Sequence, residues 1–114
     1  MDECIFCRIV NGVLPAKKVY EDARILAFED AAPQAPVHVL IIPKVHIANL
    51  LEADTLPDDT LAGLLRAAAG IAGRLGLENG GFRVVSNCGA GAGQTVDHLH
   101  LHLLGGAKLS GRMV

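Results

Sequence analysis

Residues 95–106 read TVDHLHLHLLGG and set three of the five histidines two positions apart, at His98, His100 and His102. Successive side chains of a β-strand point to opposite faces, so this spacing predicts a strand over 97–104 with the three imidazoles on one face. Such a row suits a metal site, a set of catalytic groups or a polar surface. We favour catalysis, because titratable groups clustered beside a glycine-rich loop usually mark a site.

The segments around this row predict a sheet. Short apolar runs rich in β-branched residues, bounded by turn residues, are typical of strands. The first two runs are joined by a tight turn near Glu21 and form a hairpin, and Pro43 ends the third run. The predicted strands are KKVYED at 17–22, RILAFED at 24–30, VHVLIIP at 37–43, GFRVVSN at 81–87 and DHLHLHLL at 97–104.

Two helices are predicted. The opening CIFCRIVNG, residues 4–12, reads as a short helix that stops at Asn11-Gly12. A long helix follows Pro57, with Thr55 and Asp58 in the spacing of a capping box and an end at Gly76. Its apolar stripe falls at Leu61, Leu64, Leu65, Ala68, Ile71, Ala72 and Leu75.

These elements predict one α+β domain over residues 1–114, with a largely antiparallel sheet of about five strands, one long helix and a short N-terminal helix. The composition is that of a globular protein, with 51% hydrophobic and 19% charged residues. A chain of this length buries a sizeable core without disulfides.

Charge and hydropathy exclude several classes of function. The net charge is −2 and no basic run exceeds Lys17-Lys18, which argues against binding nucleic acid through phosphate contacts. No stretch approaches the roughly 20 apolar residues that span a bilayer. The first residues, MDECIFCRIV, lack the pattern of a secretory signal, so we expect a cytoplasmic protein.

The cysteines indicate a metal or redox role. Cys4 and Cys7 form a C-x-x-C pair, which supplies half of a tetrahedral zinc site. His46 lies just after a strand and is easily presented as a further ligand, so a site of Cys4, Cys7, His46 and His98 is chemically sensible. His38 alternates with apolar residues and also fits a satisfied core histidine, and Cys88 reads as a small loop residue.

Two further features suit a phosphorylated sugar. The loop from Gly89 to Thr95 contains glycines that let N–H groups form a concave anion site. A flexible turn is the usual explanation of such a loop, but this one leads directly into the histidine strand. Asp30 follows a strand and offers a carboxylate to the two hydroxyls of a ribose, although aspartate is equally common as a turn former.

Together, FEDAAPQAPVHVLIIPKVHI and NCGAGAGQTVDHLHLHLLGG resemble the histidine triad (HIT) family, whose signature is His-x-His-x-His followed by apolar residues. The resemblance extends over nearly the whole chain, and the final LLGG is most similar to the Hint branch of nucleoside phosphoramidate hydrolases. It implies a HIT-like fold, a homodimer and hydrolysis at the α-phosphorus of purine nucleoside 5′-phosphoramidates or related conjugates.

The resemblance also implies residue roles. His100 would be the nucleophile that becomes nucleotidylated, His102 would contact the phosphate and help to protonate the leaving group, and His98 and His38 would complete the relay. Asn87, Gly93, Gln94 and Thr95 would hold the phosphate and Asp30 the ribose. Relatives of this kind hold a structural zinc ion through the pattern matched here by Cys4, Cys7, His46 and His98.

Phosphorus chemistry agrees with these expectations. An imidazole is uncharged near neutral pH, so it can attack phosphorus without a strong base, and neighbouring donors rather than a metal would carry the developing charge. Two alternatives remain open. One is a dinucleoside polyphosphate hydrolase of the Fhit-like type, and the other is a non-catalytic nucleotide-binding module.

Overall fold

A computed structural model describes residues 3–112 of the chain and confirms the α+β class with a five-stranded antiparallel sheet. Two short 3-10 turns, at Leu50–Thr55 and Ala90–Ala92, lie between the main elements. The main elements are α1 (Ile5–Val10), β1 (Lys18–Glu21), β2 (Ile25–Glu29), β3 (Val37–Pro43), α2 (Asp58–Arg74), β4 (Phe82–Val85) and β5 (Leu101–Gly105).

The strand order is β1-β2-β3-β5-β4, so β3 and β5 lie at the centre of the sheet and β4 at one edge. In the register of β3 and β5, His38 is opposite Leu104 and Leu40 is opposite His102. This register brings two histidines that are distant in the sequence onto neighbouring strands and the same face.

The two faces of the sheet carry different helices. On one face, α2 packs on a core that includes Ile41 and Leu103, both without exposed surface. On the other face, α1 places Phe6 against a smaller cluster with Phe28 and Leu40. The strands therefore bury side chains on both sides, and the histidines of β3 and β5 share the face of α1.

Helix α2 covers its face of the sheet with only part of its apolar stripe. Leu64 and Ile71 are buried, whereas Leu65 is 63% exposed and Leu61 is 36% exposed. Apolar side chains of α2 therefore remain in solvent. No helix within residues 3–112 is long and apolar enough to cross a membrane.

The predicted capping box is wrong. Helix α2 begins at Asp58 with Pro57 as its N-cap, and no side chain caps its backbone. The hydroxyl of Thr55 instead donates to the carbonyl of Glu52 at 2.7 Å and closes the preceding 3-10 turn. Asp58 and Asp59 in the first turn still favour the positive end of the helix dipole.

The last strand is shorter than predicted, because it begins at Leu101 and leaves His98 and His100 outside the ladder. Leu101 pairs with Ile41, and β3 ends two residues later at Pro43, which has no N–H to donate. The chain before Leu101 is held instead by the N–H of Leu99, which donates to the carbonyl of Ile47 at 2.8 Å.

Candidate active site and metal site

The hydrogen bond of His100 determines which of its ring nitrogens is free. Its Nδ1 lies 2.7 Å from the carbonyl oxygen of His98, and a carbonyl can only accept. Nδ1 therefore carries the proton, and the lone pair of the neutral ring is at Nε2. His100 is 5% exposed and its ring lies 5.0 Å from that of His102. This geometry suits a nucleophile.

A chain of hydrogen bonds orients His102. The N–H of Gln34 donates to Nδ1 of His38 at 3.0 Å, so neutral His38 carries its proton at Nε2. Nε2 of His38 lies 2.9 Å from Nδ1 of His102 and donates to it. Neutral His102 then carries its proton at Nε2, on the side of the ring away from His38, where it can face a ligand.

The pKa of His102 is lowered below its usual value. Burial of the ring is the largest cause, and the neighbouring His100 and His38 lower the pKa further, whereas Asp30 opposes them. The neutral form is therefore favoured, and a protonated His102 is a stronger acid than an exposed histidine.

Asp30 lies at the end of this chain of hydrogen bonds. One of its carboxylate oxygens is used in a local hydrogen bond and the other is available. Its Oδ1 accepts from the N–H of Ala32 at 2.8 Å and closes a local turn, and its Oδ2 lies 3.4 Å from Nε2 of His38. The carboxylate is only partly buried, so it can also accept from a ligand hydroxyl.

The first histidine of the row belongs to a cluster of four side chains whose donor atoms lie within 4.8 Å of one another. They are Cys4, Cys7, His46 and His98. Nδ1 of His98 lies 3.4 Å from Sγ of Cys4 and 3.5 Å from Sγ of Cys7. Nδ1 of His46 lies 3.3 Å from Sγ of Cys7 and 3.1 Å from Nδ1 of His98. A zinc tetrahedron with ordinary bond lengths has edges of about 3.3–3.8 Å, so the measured spacing fits that ion.

The protonation of this cluster also fits a metal. Nε2 of His98 lies 2.8 Å from the carbonyl of Pro43 and must donate to it, which leaves the lone pair of Nδ1 for the cluster. Burial, with smaller contributions from His46 and His100, lowers the pKa of His98 and keeps its ring neutral. Burial first, and then Cys4, raise the pKa of the Cys7 thiol to about 11, a cost for the thiolate that a bound cation offsets.

A second group, Asp30, His38 and His102, also has three donor atoms within 4.8 Å of one another. It fits a metal poorly, because the N–H of Gln34 already uses the lone pair of His38 at Nδ1. The Nε2 that would have to bind the ion therefore carries a proton. These three residues form a hydrogen-bonded relay instead.

The glycine loop is built differently from the predicted anion site. The N–H groups of Ala92 and Gln94 donate to the carbonyl of Gly89, and that of Gly93 donates to Ala90, at 3.0–3.1 Å. Gly89 and Gly93 have φ near +89° and +88°, which glycine adopts without strain. The glycines thus allow a tight turn in which these N–H groups donate to carbonyls of the same turn.

Gln94 holds this loop in place. Its Oε1 accepts from the N–H of Gly89 at 2.8 Å, and its Nε2 donates to the carbonyls of Ala48 and Val96 at 2.7 and 2.9 Å. The amide has therefore used both donors within the protein. By contrast, the side chains of Asn87 and Thr95 make no hydrogen bond with residues 3–112, so they remain available to a phosphate.

A groove of about 700 Å³ runs from Asp30 along the α1 face of the sheet. Apolar side chains of α1, β2 and β3 line it, namely Ile5, Phe6, Ile9, Phe28 and Leu40. None of these residues was predicted to belong to a site. The available signal was the apolar pair between Cys4 and Cys7, because β2 and β3 are apolar on both faces and show no alternation that would mark one face as a groove.

Comparison with known proteins gives consistent results. The family model of the HIT domain matches residues 11–109. An uncharacterised HIT-like protein of Synechococcus elongatus is 51% identical over 109 residues, which cover 96% of this chain and 95% of that protein. The structure is similar to that of a HIT family hydrolase from Clostridium thermocellum, with a TM-score of 0.91 and 44% identity over 100% of this chain and 99% of that one. It is also similar to a histidine triad nucleotide-binding protein from Candida albicans, with a TM-score of 0.82 and 40% identity over 89% and 73% of the two chains.

Proposed function

Because this chain belongs to the HIT domain family, we propose that it is a hydrolase that cleaves nucleoside 5′-phosphoramidates, or related nucleotide conjugates, at the α-phosphorus. The observation that carries this proposal is the bond from Nδ1 of His100 to the carbonyl of His98, which leaves Nε2 as a free nucleophile. Similarity to a HIT family hydrolase and to a histidine triad nucleotide-binding protein supports the class of reaction and of ligand.

In the first step, Nε2 of His100 attacks the α-phosphorus, a nitrogen–phosphorus bond forms and the bond to the leaving amine breaks. The ring of His100 becomes positively charged, and its Nδ1–H continues to donate to the carbonyl of His98. One phosphorus–nitrogen bond replaces another, so the free energy of the nucleotidyl-histidine intermediate is neither far below nor far above that of the bound substrate.

His102 supplies the proton that the leaving amine needs. The negative phosphate favours protonation of His102 from solvent at Nδ1, which then no longer accepts from His38. Oδ2 of Asp30, 3.4 Å from Nε2 of His38, accepts from that nitrogen instead. Because burial makes protonated His102 a stronger acid, it passes its proton to the amine nitrogen. In the second step, water attacks phosphorus, gives a proton to His102 and releases His100 and the nucleoside monophosphate.

The residues around the histidines suit a nucleotide. We propose that the base lies against Phe28 and Leu40 in the apolar groove, that Asp30 accepts from the ribose hydroxyls, and that Asn87 and Thr95 donate to the phosphate. Gly93 and Gln94, which the family resemblance also places at the phosphate, act by shaping the loop.

We further propose that Cys4, Cys7, His46 and His98 hold a structural zinc ion, because four protein ligands complete its tetrahedron. Zinc bound there would hold these residues together and leave no open position for substrate. Thiolate ligands persist in a reducing compartment, which supports a cytoplasmic location.

A homodimer is also part of the proposal. The edge strand β4 has no strand on its outer side within the described residues, and Phe82 on it is 43% exposed. Leu61 and Leu65 of α2 are exposed as well. Pairing of two β4 edges with packing of two α2 helices would cover this apolar surface.

Parallel hydrolysis assays with adenosine 5′-phosphoramidate and a diadenosine polyphosphate test the reaction. We expect faster turnover of the phosphoramidate, at least about 10³-fold loss of turnover in His100→Ala, and retained binding of AMP by that variant. Acid quenching followed by mass spectrometry should find the nucleotide on His100. Near-normal turnover by His100→Ala would refute the mechanism, and AMP binding without hydrolysis of either substrate would indicate a binding module.

A further inference from the structure

We infer that Phe6 is a positioning residue for His100, and that it links the four-residue metal cluster to the nucleophile. This inference rests on the proposed role of His100. It concerns a contact that lies outside the relay of His38 and His102.

The first observation is the packing of Phe6. Its ring lies edge-on to that of His100, with centroids 5.2 Å apart and planes at 89°, and edge-on to that of His98, at 5.9 Å and 68°. Phe6 is 5% exposed. A buried aromatic edge against the His100 ring prevents that ring from turning about its Cβ–Cγ bond, and such a turn would break the bond to the carbonyl of His98.

The second observation is where Phe6 comes from. It lies between Cys4 and Cys7, in a helix of only six residues that begins where Sγ of Cys4 accepts from the N–H of Cys7. A helix this short is unstable in isolation, so contacts of its side chains must hold it. The anchoring side chains include the two thiols of the cluster, from the N-cap residue Cys4 and from Cys7 within the helix, and Phe6 itself.

The third observation is that His98 contributes to both sites. Its ring faces the cluster through Nδ1 and is anchored to Pro43 through Nε2, and its carbonyl accepts from Nδ1 of His100. The cluster therefore constrains His100 twice, once through the backbone of His98 and once through the ring of Phe6. Loss of either constraint frees the ring that must present Nε2.

Val10 provides a control on the same helix. It packs against the same apolar cluster as Phe6, but it is not among the residues that line the groove, and it has no ring to place against a histidine. Phe6→Leu and Val10→Ala both remove apolar surface from α1. Only the first removes the contact with His100.

The test compares these variants in single-turnover assays at saturating adenosine 5′-phosphoramidate and in AMP binding. We expect Phe6→Leu to slow nucleotidylation of His100 about tenfold with less than about threefold change in AMP affinity, since an edge-to-face aromatic contact has roughly that effect. Val10→Ala should leave both the AMP affinity and the single-turnover rate within about threefold. An unchanged rate in Phe6→Leu, or an effect confined to AMP affinity, would overturn the inference.

A second measurement needs no variant. In protein labelled with ¹⁵N-histidine, the Nδ1–H signal of His100 should be visible at pH 7.5 and should weaken when a chelator removes bound zinc while the circular dichroism of the sheet persists. A His100 signal unaffected by chelation overturns the inference even if Phe6→Leu fails to fold. Turnover by His100→Ala would instead refute the proposed function, so the two failures are distinguishable.

Discussion

Replacement of Gln94 by alanine tests whether this residue supports the glycine loop or binds the phosphate directly. The side chain is 8% exposed and makes three hydrogen bonds of 2.7–2.9 Å. The substitution leaves the N–H of Gly89 and the carbonyls of Ala48 and Val96 without these partners. At about 1 kcal/mol for each bond, and somewhat more where the abandoned group stays dry, the free energy of unfolding should fall by about 2–4 kcal/mol.

This loss is large enough to measure by thermal or urea denaturation. At about 4 °C per kcal/mol for a chain of this size, the Tm of Gln94→Ala should lie about 8–16 °C below that of the natural chain. Gln94→Glu keeps the acceptor for Gly89 but removes both donors, so it should be destabilised as well. Thr95→Val changes an exposed side chain without a partner among residues 3–112 and should alter stability by less than about 0.5 kcal/mol.

Binding of AMP completes the test. We expect Thr95→Val to weaken AMP binding without loss of stability. We expect Gln94→Ala to lose stability because the loop that its side chain holds becomes less ordered. If Gln94→Ala keeps its Tm within about 2 °C and loses AMP affinity, the amide binds phosphate and the structural role assigned to it is wrong.

Three further outcomes follow from the geometry. Purified protein should contain one zinc ion per chain by elemental analysis, and Cys7→Ser should lose the ion and unfold at a lower temperature; full zinc content in that variant would exclude the cluster as the site. The pKa of His102 is lowered in the folded protein, so the unfolded chain binds more protons than the folded one below about pH 6.5. The free energy of unfolding should therefore fall as the pH decreases from about 7.5 to about 5.5, and it should fall less steeply in His102→Asn. Equal slopes for the two proteins would contradict this reasoning. Leu65→Glu should reduce the mass measured by light scattering from dimer to monomer, whereas Glu78→Gln should not; a monomeric natural chain would refute the proposed dimer.

Local patterns in the sequence were sufficient for the elements of the fold. The apolar run of VHVLIIP predicted a buried strand, and the structure buries six of its residues. The helical stripe predicted α2, although Leu65 of that stripe stays in solvent. The capping box failed because Thr55 bonds within the 3-10 turn before the helix, a competing local contact that the spacing of residues does not reveal.

The ligand set of the metal cluster was predictable from the sequence. The C-x-x-C spacing identified Cys4 and Cys7, and the histidine row and the position of His46 after a strand offered His98 and His46. The family resemblance matched the same four residues, which the structure brings together. The groove was not predicted, because its apolar residues come from three elements that meet only in the folded sheet.

The sequence by itself determined which chemical groups the protein has and in which stretch of the chain each of them lies, although it extended the last strand over His98 and His100, which precede it. Only the tertiary structure decided the state of each imidazole, since the partner of His98 is the carbonyl of Pro43 and the partner of His102 is His38, residues 55 and 64 positions away. A histidine has two alternative nitrogens of nearly equal basicity, and the choice between them depends on which group the fold places beside the ring. In the function proposed for this protein, that choice distinguishes a metal ligand, a nucleophile and an acid among three histidines that look equivalent in the sequence.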